Sequence, residues 1–347
     1  MESVKVASVL SPGQPFTIEE RPVPRPGPEE LLVRVAACGL CASDLHLLEG
    51  LEPPPGVTFP VVPGHEIAGE VVEVGQRVSG ISPGDRVAVH PNVPCGRCAS
   101  CEQGRSNICV NPQVIGYHRL GGYCEYTTIP AAGAIRIPPT LPWEQAAIVP
   151  DAVTTPYHAL VTRGDLRPGE SVAVFGVGGL GAHALLVARL AGASRIIAIV
   201  RRREAGERAR EFGATDVVIS TEGNPARAVK ELTGGGADLA ADFTGTAAFI
   251  AAAGASVRMG GRAVVAGMTG EKIALMSSVH FARWEIALLG AYASSPWEAR
   301  RVMALAGSGK LDLSRSVTHR FPLDQVNAAF DCLRDRSRNP IRIVLLP

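Results

Sequence analysis

The sequence predicts a chain of two domains. A β-barrel-like unit with long loops is followed by an α/β doubly wound parallel sheet, and the C-terminal stretch returns to the first unit. Three observations carry this reading. The 347 residues exceed one ordinary core and suit two. Short strand patterns punctuated by proline and glycine fill the first 150 residues. From near Asp151 the pattern changes to strands alternating with helices, which implies parallel βαβ units with right-handed crossovers.

In the first part, the strand candidates are Glu30 to Val35, Ile67 to Val74 and Arg86 to His90. Pro24-Arg25-Pro26-Gly27-Pro28 and Ser82-Pro83-Gly84-Asp85 separate them as turns. In the second part, Ser171 to Phe175 leads through a glycine loop into an Ala/Leu-rich helix. Arg195 to Val200, a charged helix over Glu204 to Phe212, and Asp216 to Ile219 follow, then Ala237 to Phe243 and Arg262 to Met268. Ile286 to Gly290 leads into a final helix and strand. The expected boundaries are 1–152 for the first unit, 153–290 for the sheet and 291–347 for the return.

Composition excludes some functions. The formal charge is +1 with acids and bases mixed, so no global field draws the chain to nucleic acid or membrane. The start lacks a secretory apolar run, and the most hydrophobic stretch, Ser171 to Leu190, is broken by glycines and a histidine. A soluble, cytoplasmic protein is expected. Eight cysteines in such a chain point to metal or redox chemistry rather than disulfides.

Gly176, Gly178 and Gly181 form G-x-G-x-x-G between a strand and a helix, with Gly179 inside the loop. In that position the first glycine permits a tight turn and the second lets a pyrophosphate approach the backbone. The third allows close helix–strand packing. A dinucleotide cofactor is expected there, with the phosphates at the helix N-terminus. An acid for the ribose 2′-OH is missing at Val200; Arg201, Arg202 and Arg203 follow instead. Three cations where a 2′-phosphate would need charged donors favour NADP(H) over NAD(H). The alternative is that they are solvated residues opening the next helix.

Cys95, Cys98, Cys101 and Cys109 lie within fifteen residues. Four thiolates leave no open coordination position, so a zinc there would be structural. An iron–sulfur cluster is the lesser competitor. A second, dispersed set starts with Cys41 in Cys38-Gly39-Leu40-Cys41-Ala42-Ser43-Asp44-Leu45-His46 and continues with His65 in Pro63-Gly64-His65-Glu66. A catalytic zinc keeps about three protein ligands and one open position.

With CGLCASDLH, PGHEIAGEV, PGDRV, the four-cysteine lobe, the glycine loop and NPIRIVLLP in order along nearly the whole chain, the sequence resembles the zinc-containing medium-chain dehydrogenase/reductase family, specifically its bacterial secondary-alcohol members. The resemblance implies a GroES-like catalytic barrel, a Rossmann cofactor domain and an active cleft at their junction. It implies two zinc ions per subunit, one catalytic and one structural. Cys41 and His65 then correspond to catalytic zinc ligands, and Asp151 stands where the family's third ligand, a Cys, Asp or Glu, is found. Glu66 resembles the acid beside the metal, and Asp44 a partner that orients His65. Ser43 occupies the position that takes the alcohol proton, and His46 the outer end of that relay. Arg342 resembles an arginine that reaches the pyrophosphate, and Thr155 a residue of the nicotinamide pocket.

The expected function is reversible hydride transfer between a primary or secondary alcohol and NAD(P), with a polyol or sugar as the alternative substrate. The substrate side, Leu48, Leu51, Pro53 to Pro55 and Trp284, reads as apolar. A homo-oligomer, a tetramer before a dimer, is implied. A reading from a different class is a non-catalytic zinc protein whose cysteine cluster contacts nucleic acid; the near-neutral charge counts against it.

Overall fold

The computed structural model describes residues 3–51 and 53–347, apart from the side chain of Arg336. The chain forms two compact units. One runs to Thr154 and resumes at Ser294; the other is Thr155–Ala293. The dividing points thus lie two and three residues beyond those read from the sequence.

In the first unit a seven-stranded sheet is built around the long strand Glu30–Gly39. That strand pairs antiparallel with Glu66–Val74, Tyr126–Pro130 and the C-terminal Arg342–Leu346. The last pairing is the predicted return of the chain. Val, Leu and Ile alternate inward on these strands, as a sheet with one buried face requires. Phe16, Tyr123 and Phe330 fill the centre, with ring centroids 4.9 to 6.0 Å apart. The strand Glu30–Gly39 runs four residues further than predicted and carries Cys38 and Gly39 into the sheet. Gly39 lies opposite Glu66. A Cβ on Gly39 would fall within 2.1 Å of the Glu66 carboxylate, so only glycine admits that side chain there.

The second unit contains a six-stranded, all-parallel sheet. Its order is Asp216–Ile219, Arg195–Val200, Ser171–Phe175, Ala237–Asp242, Val257–Val265, Ala287–Gly290. This is the doubly wound order 3-2-1-4-5-6. The central strands are buried on both faces and read as unbroken Val/Ile/Ala runs. Three strands coincide with prediction. The fifth differs: it starts at Val257 and ends at Val265, where the Ala266 and Gly267 N–H groups both turn back onto the Asp242 carbonyl. The strand Ala287–Gly290 belongs to this sheet. No described helix is long and apolar enough to cross a membrane.

Candidate metal centres and coenzyme loop

Cys41 caps the helix Ala42–Leu48, one residue past the strand Glu30–Gly39 and Leu40. His65 and Glu66 stand at the start of the adjacent strand. Asp151 comes from a π-helical turn, Val149–Val153. Pro150 lacks the N–H an α-turn would use, and the widened turn is the kind of irregularity that often carries a functional side chain. The donor atoms of Cys41, His65, Glu66 and Asp151 all lie within 4.8 Å of one another.

The distances suit a tetrahedral zinc. Ligands bonded at about 2.0–2.3 Å lie about 3.3–3.8 Å apart. Cys41 Sγ is 3.7 Å from Asp151 Oδ2, and His65 Nε2 is 3.6 Å from the same oxygen. The other imidazole nitrogen, Nδ1, is 3.4 Å from Asp44 Oδ1. Asp44 is wholly buried and accepts from the Tyr123 hydroxyl at 2.7 Å and the Cys41 N–H at 3.3 Å. That chain fixes the imidazole so that Nε2 faces the cluster.

The charge balance also calls for a cation. Three carboxylates and a thiol meet one imidazole and one guanidinium, and Glu66 is 0 % exposed. No contact of the Glu66 oxygens has hydrogen-bond geometry among the described residues; Arg342 Nη2 stands 3.2 Å from Oε1 as an ion pair. Burial lifts the Glu66 carboxyl well above its usual range, against the pull of Arg342 and with the push of Asp151 and Cys41. Burial alone would depress His65, but the Asp44 and Asp151 carboxylates outweigh it and raise it well above its usual value. A cation bound among these groups would let the carboxylates and the thiol carry their charge in a buried site.

The four-cysteine lobe fits zinc equally well. Cys98 Sγ is 3.5 Å from Cys101 Sγ and 3.9 Å from Cys109 Sγ, near the about 3.8 Å edge of a Zn–S₄ tetrahedron. Backbone N–H groups of Cys95 and Asn111 point at Cys109 Sγ, at 3.2 and 3.4 Å. N–H donors from Val110 and Cys101 bring the Cys98 thiol down to about 6, so thiolate forms readily there.

In the second unit, Gly176 has φ +87° and Gly178 caps the helix Gly179–Leu190. A Cβ on Gly181 would fall 1.7 Å from the Gly176 carbonyl oxygen, so the helix closes on the strand only through glycine. A cavity of about 690 Å³ in the same unit is lined by residues that include Arg201, Ser220, Thr221, Asn224 and Thr246.

Residues 27–139 match the family described as alcohol dehydrogenase GroES-like domain, and residues 179–308 that described as zinc-binding dehydrogenase. The chain is 31% identical to a sorbitol dehydrogenase of Bacillus subtilis, over 98% of this chain and 97% of that one. It is 29% identical to an L-threonine 3-dehydrogenase of Bacillus licheniformis, over the full length of both. A structure from Sinorhizobium meliloti described as a zinc-binding dehydrogenase bound to NADP superimposes with a TM-score of 0.91, at 32% identity and full coverage of both chains. The chain belongs to the zinc-containing medium-chain dehydrogenase/reductase family. It is an oxidoreductase acting on alcohols, with zinc and a nicotinamide coenzyme.

Other residues singled out in the sequence have these surroundings. Arg342, expected at the pyrophosphate, is 4% exposed. Its Nη1 donates to the Leu40 carbonyl and its Nη2 lies 3.2 Å from Glu66 Oε1. It is the counter-charge of Glu66. Trp284 is not on a substrate face: it packs on the cofactor-sheet core, stacked on His280 at 4.2 Å and beneath the Lys230 ammonium. Val200 ends the strand Arg195–Val200 and is 2% exposed, so it matters as a missing acid rather than as a contact. Arg203 is taken up by Glu222 at 2.6 Å, whereas Arg202 precedes the helix Arg203–Glu211 as its exposed cap.

Ser43 is half-buried in the first turn of the helix Ala42–Leu48, and His46, three residues on, is exposed on the same side. Two tyrosines went unread in the sequence. Tyr123 anchors Asp44, and Tyr117 lies 6.4 Å from the His65 ring and donates to the Ser43 carbonyl at 3.0 Å. A Pro-Gly-His-Glu motif makes a ligand visible, but nothing local marks a tyrosine some sixty residues away. Removing the Asp44 contact with Asp44→Asn or Tyr123→Phe is expected to weaken zinc binding about 10–100-fold while the fold persists. Competition with a fluorescent chelator measures this; unchanged affinity in both variants would rule out the orienting role.

Proposed function

We propose that this protein is a zinc-dependent alcohol dehydrogenase that interconverts small primary or secondary alcohols and their carbonyl partners, preferring NADP(H). The observation that carries the proposal is the buried Cys41–His65–Asp151 cluster, backed by Asp44 and flanked by Glu66. A zinc ion at this cluster supplies Lewis acidity to an alcohol oxygen, and a nicotinamide ring supplies the hydride acceptor. Cys41, His65 and Asp151 hold the metal, and Glu66, paired with Arg342, offers a fourth, exchangeable oxygen. Ser43 takes the alcohol proton and His46, at the exposed end of the same helical face, passes it to solvent. A second zinc in the Cys95, Cys98, Cys101 and Cys109 lobe is structural, making two per chain.

The NADP(H) preference is supported by Arg201, which lines the cavity, by the exposed Arg202 next to it in sequence, and by the missing acid at Val200. Val200→Asp is expected to shift the ratio of kcat/KM for NADP⁺ over NAD⁺ by about tenfold or more toward NAD⁺, because a carboxylate there repels the 2′-phosphate. Steady-state kinetics with both coenzymes checks it, and an unmoved ratio would contradict it. A cytoplasmic location is supported by eight cysteines with no disulfide between them. A homo-oligomer, as a tetramer, is supported by the edge strand Ala287–Gly290, whose Leu288 is exposed alongside Met259 and Tyr292.

The likeness to a sorbitol dehydrogenase over nearly the full length favours the polyol as second reading. Oxidation of a panel of simple alcohols, polyols and L-threonine with NAD⁺ and NADP⁺ side by side decides. Turnover of simple secondary alcohols with NADP⁺ is expected. Turnover confined to polyols would move the function to the second reading, and a tenfold preference for NAD⁺ would overturn the role of the arginines.

A further inference from the structure

Arg208 lies in the middle of the charged helix Arg203–Glu211 and is half-buried. Its Nη2 donates at 2.8 Å to the carbonyl of Val177, the residue between the first two glycines of the coenzyme loop. The placement is costly for a guanidinium. Burial works against its charge, the neighbouring charge of Arg202 works against it further, and Glu211 offsets only part. A helix that merely packed on the loop would be better served by an apolar side chain.

The bond has a consequence for the opposite side of the loop. The one cis peptide among the described residues is Phe59–Pro60, so Val177–Gly178 is trans. A trans peptide points its C=O and N–H in opposite directions. With the Val177 oxygen drawn back toward Arg208, the Gly178 N–H is aimed away from Arg208. Gly178 is also the cap of the helix Gly179–Leu190, whose first-turn N–H groups have no intrahelical acceptor. A Cβ built on Gly178 would meet nothing within 4 Å, so the space on the Cβ side of the residue is open.

We propose that Arg208 is a positioning residue for the coenzyme's pyrophosphate: it pins the Val177 carbonyl behind the glycine loop, so that the Gly178 N–H is presented to the phosphates. The inference rests on the glycine loop holding a nicotinamide coenzyme. It assigns Arg208 no contact with the 2′-phosphate, which separates it from Arg201 and Arg202. The pinned carbonyl would otherwise turn a negative dipole toward the ligand, and the half-buried positive charge adds to the helix N-terminus from behind.

The test measures binding to the full-length enzyme by fluorescence titration and competition, with ADP-ribose, NAD⁺, NADP⁺ and adenosine as probes. For Arg208→Met, the dissociation constants of ADP-ribose, NAD⁺ and NADP⁺ should rise together by about tenfold, as expected for loss of one charge-assisted hydrogen bond. Adenosine, which has no phosphate, should bind as before. Arg208→Lys should recover part of the loss. Equal weakening of adenosine and ADP-ribose would reduce Arg208 to a general structural residue and overturn the proposal. So would unchanged affinity for all four probes. Weakening of NADP⁺ alone would overturn it in favour of a direct 2′-phosphate contact. Failure of the underlying reading looks different: the unmodified enzyme would bind neither dinucleotide nor ADP-ribose.

Discussion

His65→Ala is expected to lower kcat/KM for the preferred alcohol by on the order of a thousandfold, and to leave one zinc per chain where the proposed function calls for two. Lewis acidity at an alcohol oxygen contributes several kcal/mol to transition-state stabilisation, and each about 1.4 kcal/mol is a factor of ten in rate. His65 is the neutral ligand of the set, and its ring is held from behind by a buried carboxylate, through Nδ1 and Asp44. Removing it leaves Asp44 without the imidazole and leaves Cys41, Glu66 and Asp151 as concentrated negative charge. The variant should fold, because His65 lies at the start of a strand whose other inward residues fill the core. Metal analysis and kinetics on the same sample check the result. Full activity with one zinc lost would place the working metal elsewhere.

Cys101→Ser is expected to act on stability rather than on the chemical step. The segment 95–109 has little apolar core of its own: Cys95, Cys98 and Cys101 are only half-buried, and Ile108 is 38% exposed. Its order then depends on the metal, and structural zinc contributes on the order of 10 kcal/mol to the folding of small zinc domains. Loss of one thiolate should open the lobe to proteolysis between Cys95 and Cys109. The damage should spread to the returning chain, because Ser295 Oγ reaches the Gly104 carbonyl and Asn107 Oδ1, both at 3.4 Å. We expect inactivation on heating at a temperature lower by about 10 °C or more, with initial kcat at low temperature nearly intact. Limited proteolysis and thermal inactivation measure this; a variant as heat-resistant as the parent would show that the lobe stands without its metal.

Much of this was legible in the sequence because the signals are local. The glycine loop fixes its own turn within six residues, and the four-cysteine lobe closes on itself within fifteen. Strands buried on both faces, such as Ser171–Phe175 and Arg195–Val200, advertise themselves as continuous apolar runs with matching bounds. What could not be read depends on contacts between distant segments. Arg342 and Glu66 are 276 positions apart in number, and only the pairing of the final strand with Glu30–Gly39 brings them together. Tyr123 meets Asp44 across 79 positions. The π-helical turn that turns Asp151 toward Cys41 has no sequence signature beyond a proline. Arg208 falls within the charged helix read from the sequence, but its bond to Val177 joins segments 31 positions apart and depends on how that helix packs on the glycine loop.

The central claim is that one of two zinc ions, held by Cys41, His65 and Asp151, does the chemical work. Staged removal with a chelator, following zinc per chain and turnover in parallel, tests it most directly. Starting from two zinc ions per chain, turnover should fall in proportion to loss of the first, while the thiolate-bound second remains until the protein unfolds. Readdition of zinc should restore turnover. Turnover that survives with the Cys41 site emptied would contradict the account.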